Sequence, residues 1–193
     1  MLISRVLAIL AAVLLLNSGP ALADGKQDRA IQTTQVLLMS AHEALSPPRN
    51  GPALRSAIGS AFHFDVWGRF LIKGRENAFS RAQAQEFRAL LPGFMAHLYG
   101  KQFERGLDQP PAIGDARTAR RGDILVASQF PRTNGRNLPV DWRLREFPNL
   151  GMRVIDVMVG GASFVLLKRD EFRVMIDRGG AEAVLGHMRA NSL

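Results

Sequence analysis

There is no cysteine among the 193 residues of this chain. Disulfides, thiol catalysis, zinc–thiolate sites and a lipid-modified N-terminal cysteine are excluded, so stability has to come from an ordinary apolar core. Beyond residue 23 no uninterrupted apolar run approaches the ~20 residues that span a bilayer. Acidic residues are few, 17 against 25 lysines and arginines, giving a formal net charge of +8. The strings that announce familiar chemistries are missing too. The sequence holds no Gly-x-Ser-x-Gly nucleophile elbow and no His-Glu-x-x-His metal pair, and Gly160-Gly161 lacks the spaced third glycine and the lysine of a phosphate-cradling loop. Internal repeats and low-complexity tracts are absent as well.

What is present begins with a leader. Residues 1–23 contain Arg5, an apolar run from Val6 to Leu16, the breaker pair Gly19-Pro20, and Ala21-Leu22-Ala23. This is the pattern of a secretory signal peptide with cleavage expected after Ala23, and the run is too short for a membrane anchor. Residues 24–193, 170 in all, suit one domain and would carry a net charge of about +7. That balance fits nucleic acid, an anionic membrane surface or acidic proteins. Export and the scattering of the cations speak against nucleic acid. The cluster Arg117-Thr118-Ala119-Arg120-Arg121 reads as a solvated strand end, and Arg121-Gly122-Asp123 as a hairpin turn rather than an adhesion motif.

The organising stretch is 124–163. Ile124 to Phe130 reads as a strand, Asn134-Gly135 is a hairpin signal, and Val140 to Arg145 alternates apolar and polar with period two. After Pro148-Asn149-Leu150-Gly151, Met152 to Val159 is rich in β-branched residues. Ala112 to Arg120 is a weaker strand that pairs with Ile124 to Phe130, for four antiparallel strands. Helical patterns cover the rest. Asp24 is a good N-cap for a helix containing Ala30 to Leu45, and Leu54, Ile58, Ala61 and Phe62 share a face of the next. A short helix ends near Leu71. Ser80 with Gln83 forms a capping box before Phe87, Leu90, Leu91, Phe94 and Leu98, where Pro92-Gly93 predicts a kink or a break. Ser163 caps a helix over 164–178 that Gly179-Gly180 ends, and a last short helix covers 181–190.

Candidate chemistry is thin. His63 and Asp65 would share a face if they lay on a strand, but no third ligand joins them. Asp141 and Asp156 would allow paired acid and base work if they faced each other across adjacent strands, although Arg143, Arg145 and Arg153 make charge pairing the default. The positive signal is an excess of large apolar residues, which either fill a core or line a cavity.

Several segments together carry a family resemblance: 138–145 (Leu-Pro-Val-Asp-Trp-Arg-Leu-Arg), 152–163 (Met-Arg-Val-Ile-Asp-Val-Met-Val-Gly-Gly-Ala-Ser), 169–172 (Arg-Asp-Glu-Phe) and Gly179-Gly180. The chain resembles the MlaC family, periplasmic phospholipid-binding proteins of the Mla pathway also called toluene-tolerance auxiliary proteins. It departs from the family pattern in having Gly160-Gly161-Ala162 where a glutamate-glycine-valine is usual, in the shorter segment Leu71 to Asn77, and in Pro92-Gly93. The resemblance implies an α+β fold, a twisted antiparallel sheet of about four strands wrapped by helices, similar to the nuclear-transport-factor-like arrangement, with an apolar interior cavity for phospholipid acyl chains. It also implies a single phospholipid-binding domain over 24–193 in the periplasm, with no cofactor and no catalysis. The implied partners are phospholipid, an inner-membrane ABC transporter complex and an outer-membrane lipoprotein complex, with transient membrane-surface contact. Trp142, Leu144, Val157 and Val159 from the sheet, and Phe94, Leu98 and Phe164 from the helices, are the expected lipid contacts. Three alternatives stand beside this one: a hopanoid-associated relative from the same family, a secreted enzyme on a similar cone-shaped sheet using His63 or Asp141 and Asp156, and a structural interaction module with a filled core and no cavity.

Overall fold

The structure is a computed structural model that describes residues 20–103, 109–132 and 135–192. Residues 1–19, most of the expected leader, and residues 104–108, 133, 134 and 193 lie outside the described residues, Asn134 of the expected hairpin signal among them. In chain order the elements are α1 (Pro20–Leu45), α2 (Gly51–Ala61), α3 (Phe64–Leu71), α4 (Arg81–Phe103), β1 (Ala112–Thr118), β2 (Ile124–Phe130), β3 (Leu138–Phe147), β4 (Gly151–Val159), β5 (Ala162–Ser163) and α5 (Phe164–Ala190). The first helix starts four residues before the predicted Asp24 cap. Asn50 caps α2 by accepting from the Ala53 N–H, and the Ser80–Gln83 box closes in both directions at 3.0 and 3.3 Å, fixing where α4 begins.

The strands form one antiparallel sheet in the order β1-β2-β3-β4-β5, five strands rather than four. The fifth is two residues long and follows a two-residue turn in which Gly160 and Gly161 both have positive φ, 58° and 86°. A turn of that hand matches the twist of the strands it joins and is open to glycine at no steric cost, which explains the pair at this point of the sequence. The register sets Trp142 opposite Val157, Val140 opposite Val159 and Leu144 opposite Val154. A bulge leaves Ile155 without an opposite partner, so the alternation in β4 shifts phase there.

Strand alternation gives the sheet one apolar face, and the helices close over it. Trp142, Leu144, Val154 and Val157 are buried, together with Leu37 and Leu38 of α1, Leu54 and Ile58 of α2, Trp67 of α3, Phe94 of α4, and Phe172 and Leu185 of α5. Of the expected kink or break at Pro92-Gly93, the break does not occur, and α4 runs as one helix through Pro92. The proline forfeits one backbone hydrogen bond, while Leu91, Phe94, Met95 and Ala96 around it are wholly buried, so packing on both sides outweighs the lost bond. At the far end, Gly179 and Gly180 leave helical geometry and split α5 where the sequence predicts a helix end, with Gly180 at φ 66° and ψ −167°. That backbone region is essentially restricted to glycine.

Candidate functional site

The apolar sheet face and the helices above it are where the expected lipid contacts fall. Trp142, Leu144, Val157 and Val159 stand on one face, the first three buried and Val159 half-buried. Phe94 is buried, while Leu98 and Phe164 are half-buried against the same core. Two aromatic groups organise these side chains. In one, the Tyr99 ring links the sheet to α5, with centroids 6.4 Å from Trp142, 5.4 Å from Phe164 and 5.3 Å from Phe62. Phe94 belongs to the other, 5.7 Å from Phe172 and 5.6 Å from His187. The structure thus brings Trp142 and Phe164 together through Tyr99 and sets Phe94 in a neighbouring group; Tyr99 and Phe94 lie five residues apart on α4.

Tyr99 and Trp67 had a sequence signal only in their size and apolar neighbours. Trp67 is fully buried and donates its indole N–H to the Val154 carbonyl at 3.2 Å, pinning α3 to β4 beside the Phe62–Val154 bridge. Trp142 donates to the Ser128 hydroxyl at 2.9 Å, and Ser128 in turn donates to the Val140 carbonyl at 2.8 Å, so this indole is both apolar wall and satisfied donor. Burial, with the Asp156 charge as the lesser cause, pushes the Tyr99 phenol well above its usual range.

The carboxylates are arranged otherwise than an acid–base pair requires. Asp156 stands opposite Arg143 and Asp141 opposite Met158, so the two aspartates do not face each other. Asp141 pairs with Arg117 at 3.6 Å. Asp156, buried, accepts from the Val157 N–H at 2.8 Å, the Ser163 hydroxyl at 2.7 Å and the Val165 N–H at 3.3 Å, while the Ser163 oxygen accepts from the Leu166 N–H. It is a clasp across the β4–β5 turn that holds the first turn of α5. Burial raises its carboxyl above the ordinary aspartate range, against the three hydrogen bonds and the Arg143 charge, which pull the other way.

His63 and Asp65 lie at the start of α3 and not on a strand. The His63 backbone N–H donates to the Val154 carbonyl, its ring rests 4.1 Å from that of Phe147, and Asp65 sits in the helix's first turn, where the dipole favours an anion. Asp123 of the Arg-Gly-Asp string is wholly buried. Its two oxygens accept from the guanidiniums of Arg143 and Arg145 at 2.6 to 3.0 Å, so the tripeptide's acid is engaged inside the fold. Among the described residues no group of three histidine or acidic side chains is placed to hold a metal ion, and no helix is long and apolar enough to cross a membrane.

An open antiparallel sheet with one apolar face wrapped by helices is also the fold of a phospholipid-binding protein from Ralstonia solanacearum, solved in complex with a phospholipid. The two share 18% identity with a TM-score of 0.65, over 84% of this chain and 96% of that one. Among curated proteins no sequence matches. The family profile described as MlaC protein matches residues 29–190, and the chain belongs to the MlaC family.

Proposed function

We propose that this chain is a periplasmic phospholipid carrier whose acyl chains lie between the apolar face of the sheet and α4 and α5. The single observation that carries the reading is that this face, with Trp142, Leu144 and Val157, is closed by separate helices rather than by a second sheet. Helices packed through aromatic side chains can part to admit chains without breaking sheet hydrogen bonds. Support comes from the family and from the phospholipid held by the structural neighbour on the same fold. Lipid transfer gives such a site a purpose. Two acyl chains of roughly 30 methylenes cost ~0.8 kcal/mol each to expose to water, so unaided desorption faces a barrier on the order of 20 kcal/mol. An apolar interior removes that exposure and needs no catalytic group.

In this reading the leader is cleaved after Ala23, and residues 24–193 take lipid from one membrane complex and deliver it to another, an outer-membrane lipoprotein assembly and an inner-membrane ABC transporter, maintaining outer-membrane asymmetry. The test is uptake: delipidated protein is incubated with phospholipid vesicles, separated, and its lipid content assayed. Stoichiometric acquisition is the expected result. Protein that stays lipid-free, with unchanged circular dichroism, would overturn the carrier reading.

A further inference from the structure

One end of the sheet carries charge that the fold does not neutralise. The β1–β2 turn and the β3–β4 turn lie side by side at this end, because β1 and β3 run toward it and β2 and β4 away. Arg120 and Arg121 are exposed on the first turn, and Arg143, Arg145 and Arg153 emerge half-exposed from the strands beside it. Against these five cations stand two buried carboxylates, Asp123, already shared by Arg143 and Arg145, and Asp156, opposite Arg143. Glu146, also at this end, is answered by Lys26 and Arg29 of α1. Among the described residues no carboxylate pairs with Arg120, Arg121 or Arg153.

The register adds to this. Arg145 and Arg153 are direct cross-strand partners, a like-charge pair that costs stability in a sheet. At the tip of the β3–β4 turn, between Asn149 and Gly151, both of positive φ, Leu150 is 48% exposed. Exposed arginines and an exposed leucine at the same end of the sheet suit a surface that is anionic outside and apolar just beneath. An acidic protein would answer the charge and leave the leucine without a purpose. Guanidiniums pair bidentately with phosphate, and an apolar tip gains by entering the headgroup boundary.

We propose that this end of the sheet, with Arg120, Arg121 and Arg153 and the exposed Leu150, docks the protein on anionic phospholipid bilayers. The proposal rests on the carrier reading for its purpose, since a carrier that exchanges lipid gains from being held at a bilayer, but it is tested separately from lipid uptake. Each arginine near an anionic surface contributes about fivefold to partitioning, weakened by salt.

The experiment is sedimentation of the mature chain with vesicles of phosphatidylcholine alone and with phosphatidylglycerol added, at low and high salt. Lipid content of each variant is measured in parallel. The triple reversal R120E/R121E/R153E should lower binding to the anionic vesicles by at least tenfold, and Leu150→Asp should lower it severalfold, with lipid uptake in solution retained. A control reversal on the helical side, R81E/R88E/R178E, at exposed positions, should have a much smaller effect. Equal binding to neutral and anionic vesicles, equal loss in both triple variants, or no vesicle binding at all would overturn the docking surface. Loss of uptake alone would count against the carrier reading and not against this one.

Discussion

Replacing Asp156 with alanine removes the acceptor for two buried backbone N–H groups, those of Val157 and Val165, and for the Ser163 hydroxyl. A buried donor left without a partner costs ~1–3 kcal/mol, whereas the hydroxyl can turn elsewhere, and loss of a desolvated charge returns part of the cost. The net loss should be about 2–4 kcal/mol, which for a domain of this size lowers Tm by roughly 5–12 °C. Asparagine keeps one oxygen for the two N–H groups and lets its amide donate to Ser163, so Asp156→Asn should stay within about 1 kcal/mol of the parent.

The same pair separates charge from geometry through pH. Because burial raises the carboxyl of Asp156 in the folded protein, the fold binds its proton more tightly than the unfolded chain does. Its stabilising contribution is complete below the ordinary aspartate range and is lost as pH rises through that range to the raised folded value. The asparagine variant should lack that slope. Urea denaturation of the parent and both variants across a pH series measures all three effects. An alanine variant within about 0.5 kcal/mol of the parent, or an asparagine variant as damaged as the alanine one, would refute the clasp.

Gly180→Ala should destabilise by ~1–3 kcal/mol through the backbone alone, since nothing lies within 4 Å of the added methyl, and thermal unfolding checks it. Should the variant match the parent, the split in α5 is not held at that conformation. Leu98→Trp, at a half-buried position beside the proposed acyl chains, should remove most of the bound phospholipid while leaving far-UV circular dichroism unchanged, read by extraction of purified protein. A full lipid complement in that variant would place the chains elsewhere.

Much of the fold is legible in local chemistry. The Ser80–Gln83 box, the Ser163 cap, the Gly179-Gly180 break and the alternation Val140, Trp142, Leu144 each depend on residues within a few positions of one another, and the structure has each of them. Long-range partners are what a linear reading cannot supply. Asp123 finds its partners 20 and 22 residues away, so three letters that look like an exposed turn hold a buried acid. Asp156 looks available for chemistry until the β4–β5 turn folds Ser163 and Val165 onto it. Pro92 shows the same limit in reverse, because its local cost is offset by apolar contacts made by distant elements. For the site, strand period places Val157 and Val159 on one face of β4, but that Trp142 shares that face depends on the register, and that Tyr99 joins Trp142 to Phe164 depends on the packing of α4 and α5.

The measurement that bears most directly on the carrier account is native mass spectrometry of the mature chain purified from a Gram-negative periplasm, with organic extraction of the same sample. The account predicts a mass increment that extracts as phospholipid, one diacyl molecule for each protein. A chain that flies at its bare mass, and remains bare after incubation with phospholipid vesicles, would contradict it and leave the apolar face of the sheet as a filled core.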